Sequence, residues 1–68
     1  MSSRYEIVVA GEAGPMLLAA LEGFTVQPGP TGFASMVGSV ADQAALHAAL
    51  HRIHDLHAEI IEVRRLEV

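Results

Sequence analysis

Asp42-Gln43-Ala44-Ala45-Leu46-His47-Ala48-Ala49-Leu50-His51-Arg52-Ile53-His54-Asp55-Leu56-His57 is the stretch on which the reading of this chain turns. Projected at 100° per residue, Leu46, Ala49, Leu50, Ile53 and Leu56 share one stripe, the signature of an amphipathic helix with one face in a core. Asp42, or Ser39 before it, is suited to cap the helix by accepting a hydrogen bond from a free N–H of its first turn. His57 marks the far end, where a cation favours the helix dipole. The stretch also holds all four histidines of the chain. His47, His51 and His54 fall in a narrow arc beside the apolar stripe.

Working outward, the remaining elements are short. Tyr5 to Ala10 is aromatic and β-branched and reads as a strand ended by Gly11. Gly14-Pro15 starts a helix over Met16 to Leu21, because proline's fixed φ suits the first helical position, and Gly23 lies just past its end. Phe24 to Gln27 is a short strand, Pro28 to Gly32 a turn, and Phe33 to Val37 a strand ended by Gly38. Glu59 to Leu66 closes the chain as a strand. The order β-α-β-β-α-β, with right-handed crossovers, predicts an α+β, ferredoxin-like domain over residues 1–68. Such a domain has a four-stranded antiparallel sheet in spatial order 4-1-3-2 and two helices on one face.

Alternation along the strands assigns the two faces of that sheet. Ile7, Val9, Ala34, Met36, Ile61 and Val63 are expected to point at the helices. Glu6, Val8, Ala10, Phe33, Ser35, Val37, Ile60, Glu62, Arg64 and Leu66 are expected to point away. The outer face then carries Val8, Phe33, Val37, Ile60 and Leu66, an apolar surface that suits association. Slipping one strand by a residue would exchange its two faces.

Composition bounds the function classes. At 68 residues the chain is near the lower limit for burying its own core, so a staple is expected. It has no cysteine, which excludes disulfides and thiolate metal sites and leaves oligomerisation or a histidine-bound metal. Four Lys+Arg against eight Asp+Glu offer no basic face for a phosphate backbone, so nucleic acid is not an expected partner. The uncharged run from Gly23 to Ala41 is broken by Pro28, Gly29, Pro30 and Gly32, which argues against a membrane span. No signal-peptide pattern opens the chain, and a cytoplasmic setting is the expectation.

Catalytic motifs are thin. Ser2, Ser3, Ser35 and Ser39 have no motif around them. Gly11-Glu12-Ala13-Gly14 occupies the place of a phosphate loop but lacks the Gly-Lys-Ser/Thr ending and the G-x-G-x-x-G pattern. Residues three or four apart on a helix, His47 with His51 or His51 with His54, can share a metal ion. His47 and His54, about 10 Å apart along the axis, cannot easily do so. A closed zinc site wants four ligands, so Asp55 or a second subunit would have to complete one. The solvated flank of a helix accounts for the same pattern.

Asp42-Gln43-Ala44-Ala45-Leu46-His47, Arg52 to Leu56, Val63 to Leu66, Arg4 to Ile7 and Leu21 to Val26 together resemble a group of small stand-alone proteins of actinobacterial type and uncharacterised function. The likeness covers most of the chain. Members usually carry glycine where this chain has His57 and often Arg or Gln at positions like His54, so only His47 is typical among the histidines. The element order more loosely resembles ACT-type regulatory domains, which implies amino-acid binding at a dimer interface. The leading expectation is a non-enzymatic interaction or regulatory module without cofactor, self-associating through its sheet, with another protein as the alternative partner. An ACT-like small-molecule binder and a histidine-helix metal binder are the alternatives.

Overall fold

A computed structural model describes residues 2–11, 14–29 and 31–66. The middle of the Gly11–Gly14 turn, Pro30 and Glu67 lie outside these residues. The elements run β1 Ser3–Ala10, α1 Pro15–Ala20, β2 Phe24–Pro28, β3 Phe33–Val40, α2 Gln43–Asp55 and β4 Ile60–Leu66. The four strands form one antiparallel sheet in the order β2-β3-β1-β4, the ferredoxin-like arrangement. Both helices pack on the same face, because Leu17 and Leu21 from the α1 region and Ala49 and Ile53 of α2 share one cluster with Ile7, Val9, Ala34 and Met36. A smaller cluster joins Tyr5, Val40 and Leu46, and Phe24 and Leu50 pack against both.

The apolar stripe of α2 lands as its periodicity dictates. Leu46, Ala49 and Ile53 are buried, and Leu50 and Leu56 pack against the clusters from its flanks. Asp42 is the cap: its Oδ1 accepts from the Ala45 N–H at 2.8 Å. At the other end the His57 N–H donates to the His54 carbonyl and the Ala58 N–H to the Ile53 carbonyl. That pair of bonds is a Schellman closure, with Ala58 packed against the cluster that holds Ile53. The closure requires a left-handed residue, and His57 supplies it with φ 61°.

A side chain in that conformation costs about 1–2 kcal/mol. Glycine removes the cost but gives part of it back as unfolded-state entropy, about 0.4–1 kcal/mol. His57→Gly is therefore expected to stabilise the fold by about 0.5–1 kcal/mol, raising Tm by a few degrees. Thermal unfolding followed by circular dichroism checks this, and an unchanged or lower Tm would show that the histidine side chain contributes more than its backbone strain costs.

Two sequence expectations are corrected. Gly38 does not end β3, which continues through Ser39 and Val40. Gly38 pairs with Tyr5 on one side and Phe24 on the other. A Cβ at this position would lie 2.7 Å from Phe24 Cγ and 2.9 Å from the Gly23 carbonyl oxygen. The glycine thus opens room for an aromatic ring laid across the strand.

The second correction concerns β4. Its register against β1 shifts between Val8 and Val9, so Glu62 faces Val8 while Ile60 faces Val9. One residue is accommodated in a bulge, and this reverses the alternation. Ile60 turns inward and packs against the main cluster, while Ile61 turns outward and is 48% exposed. Ile60 therefore leaves the outer face predicted for it, and Ile61 takes its place.

Candidate functional site

The outer face of the sheet is bare of helices. Cross-strand pairing places Arg4, Glu6, Val8 and Ala10 of β1 on it beside Ser39, Val37, Ser35 and Phe33 of β3. Leu66, Arg64 and Glu62 of β4 flank Arg4, Glu6 and Val8. Four of the five side chains expected on the apolar outer surface, Val8, Phe33, Val37 and Leu66, are on it. They differ in availability. Val37 is only 7% exposed, hemmed in on a central strand, whereas Phe33 is 40% exposed and Val8 and Leu66 are half-buried. With Ile61, Val8 and Phe33 frame a shallow recess of about 300 Å³, lined also by Glu6, Glu62 and Arg64.

A polar network lies within this apolar frame. The Ser35 hydroxyl donates to Glu6 Oε2 at 2.5 Å, and Arg64 Nη2 donates to Glu6 Oε1 at 2.5 Å. Glu6 and Arg64 are direct cross-strand partners, and Ser35 lies diagonal to Glu6 through its pairing with Val8. These contacts hold the Glu6 carboxyl below its ordinary value. The Ser35 hydrogen bond is the largest cause, followed by the Arg64 hydrogen bond, with partial desolvation opposing them and the Arg64 charge adding to them. Ser35 is buried, and Glu6 satisfies it. Among the described residues no buried side-chain nitrogen or oxygen lacks a partner. Strand alternation had put Glu6, Ser35 and Arg64 on one face. Register was the missing signal that joins them.

The histidines are arranged differently. His47, His51, His54 and His57 are all exposed. His51 Nδ1 lies 3.3 Å from Asp55 Oδ2, one turn on, with 74% and 60% of the two side chains open to solvent. Among the described residues no three His, Cys, Asp or Glu side chains come together to hold a metal ion. Among the described residues no helix is long and apolar enough to cross a membrane.

A family profile described as Domain of unknown function (DUF8691) matches residues 4–64, from β1 into β4. The chain belongs to the DUF8691 family. The match takes in the sheet face just described as far as Arg64, including Glu6 and Ser35, and all of α2. No curated protein and no solved structure matches the chain. The DUF8691 assignment agrees with the resemblance to small proteins of uncharacterised function and assigns no chemistry of its own.

Proposed function

We propose that this chain is a non-enzymatic interaction module that self-associates through the outer face of its sheet. The observation that carries the reading is the combination of open apolar side chains with an already neutralised charge. Phe33 and Ile61 stand open beside Val8. Of the two carboxylates that line the recess the more central, Glu6, is held by both Ser35 and Arg64, while Glu62 lies on the edge strand where solvent or a partner can reach it. Covering an unpaired carboxylate is costly, but one with its hydrogen bonds made within the chain can be covered with little further penalty. The mixture of apolar rim and satisfied centre suits a second copy, because a two-fold pairing sets the same patch against itself.

Sedimentation velocity or light scattering across the micromolar range tests this. The wild type is expected to run above the 7.2 kDa of a single chain. Phe33→Glu puts a carboxylate into the apolar rim of each copy in such a pairing and is expected to weaken association at least about tenfold, since each 1.4 kcal/mol is a factor of ten. A wild type that stays at 7.2 kDa throughout would overturn the reading.

A further inference from the structure

The sheet ends on one side at β4, a seven-residue strand that pairs with β1 and, among the described residues, has no strand beyond it. Such an edge presents unpaired N–H and C=O groups and is a template for another strand. The opposite edge, β2, has five residues and closes on Pro28, which donates no N–H. The side chains of β4 carry a further pattern. Glu62 and Arg64 flank Val63 and lie on the same outer face, with opposite charges. Val63 lies on the helix side, opposite Ile7, yet stays 38% exposed because no helix reaches the edge.

We infer that β4 pairs antiparallel with β4 of a second copy about a two-fold axis at Val63, extending the sheet from four strands to eight. Antiparallel pairing centred on Val63 sets Glu62 of each copy opposite Arg64 of the other, so one contact produces two ion pairs. Opposite charges directly across a ladder stabilise it, and like charges destabilise it. A parallel, in-register pairing would set like against like, so the charges select the antiparallel sense. Arg64 can serve both partners. Its guanidinium has five donors, one is used by Glu6, and 59% of the side chain is exposed. The two Val63 side chains meet across the axis and cover each other. The backbone ladder of this contact forms at the edge and leaves the outer face uncovered. Glu62 and Arg64 also line the recess on that face, so the cross-link at Val63 on the helix side is what reads the edge alone. Together the edge and face contacts build a four-chain assembly of about 29 kDa from chains of 7.2 kDa.

The chain has no cysteine, so a single introduced thiol reports one contact. Directly opposed strand residues have Cα atoms about 4.5–5.5 Å apart, within the range a disulfide spans. Val63→Cys is therefore expected to form a disulfide-linked dimer on mild oxidation at least about tenfold faster than His51→Cys on the solvent flank of α2, because pairing raises the effective thiol concentration.

Adding Glu62→Arg or Arg64→Glu to Val63→Cys is expected to remove that advantage, since each sets like charges opposite one another twice. Mixing the two charge-reversed chains restores both ion pairs and is expected to return a fast mixed disulfide. Phe33→Glu should leave the cross-link intact while lowering the mass from four chains to two, so loss of the face contact is distinguishable from loss of the edge contact. Val63→Cys cross-linking no faster than His51→Cys would overturn the edge pairing, as would charge reversals that leave the rate unchanged in chains whose circular dichroism is native.

Discussion

Replacing Ile53 by alanine is expected to remove about 2–5 kcal/mol of stability, the range for deleting a large aliphatic side chain from a close-packed interior. Ile53 is 0% exposed and sits in the cluster that joins both helices to the sheet. Its surroundings have little freedom to collapse into the space, because Ile7, Val9 and Met36 opposite it belong to paired central strands. The residue also has a second role. Its carbonyl accepts from the Ala58 N–H, so its side chain anchors the helix end from which the chain turns into β4. A domain of this length has about 3–10 kcal/mol in all, so the loss approaches the whole of it.

Urea unfolding at fixed protein concentration is the appropriate measurement, because association adds to apparent stability. The midpoint should fall with the slope unchanged. Ile53→Val should cost only about 0.5–1.5 kcal/mol. A loss for alanine no greater than that for valine would mean that the interior repacks around the gap.

Gly38→Ala is expected to destabilise the protein by about 1–3 kcal/mol, although alanine is the better strand residue. The added methyl would press on the Phe24 ring at 2.7 Å from Cγ and 2.8 Å from Cδ2, and on the Gly23 carbonyl oxygen at 2.9 Å. The ring cannot swing aside freely, because Phe24 packs against both core clusters and so couples the two ends of the interior. If the ring causes the loss, the same substitution in a Phe24→Ala background should cost clearly less, leaving only the contact with the Gly23 carbonyl. Thermal unfolding of the four proteins of that cycle measures the coupling, and equal costs in both backgrounds would locate the strain in the backbone alone.

Much of this architecture was legible in the chain. The 3.6-residue spacing of Leu46, Ala49, Leu50, Ile53 and Leu56 and the capping chemistry of Asp42 are local properties, and they survive folding unchanged. The alternation in β1 and β3 likewise placed Ile7, Val9, Ala34 and Met36 inward. Gly38 reads as the end of a strand because a glycine within a strand resembles a stop when viewed along the chain. What it accommodates, the Phe24 ring, is fourteen residues away in sequence and next to it in the sheet. Ile60 and Ile61 exchanged faces for a similar reason. A bulge is a relation between two strands, and β4 alone carries no mark of where β1 will shift against it.

The candidate site divides along the same line. The amino-acid order by itself determined the ferredoxin-like order of elements, the inward stripe of α2 and an outer face rich in apolar groups, since periodicity and turn chemistry act over a few residues. It also put a residue that is not glycine, His57, at the left-handed helix end. Only the tertiary structure decided that Glu6 meets Arg64 and Ser35, that Ile61 and not Ile60 completes the rim, and that the histidine flank gathers no three ligands among the described residues. These are distances between groups far apart in the chain, set by the register of the sheet, and register is settled when the core closes.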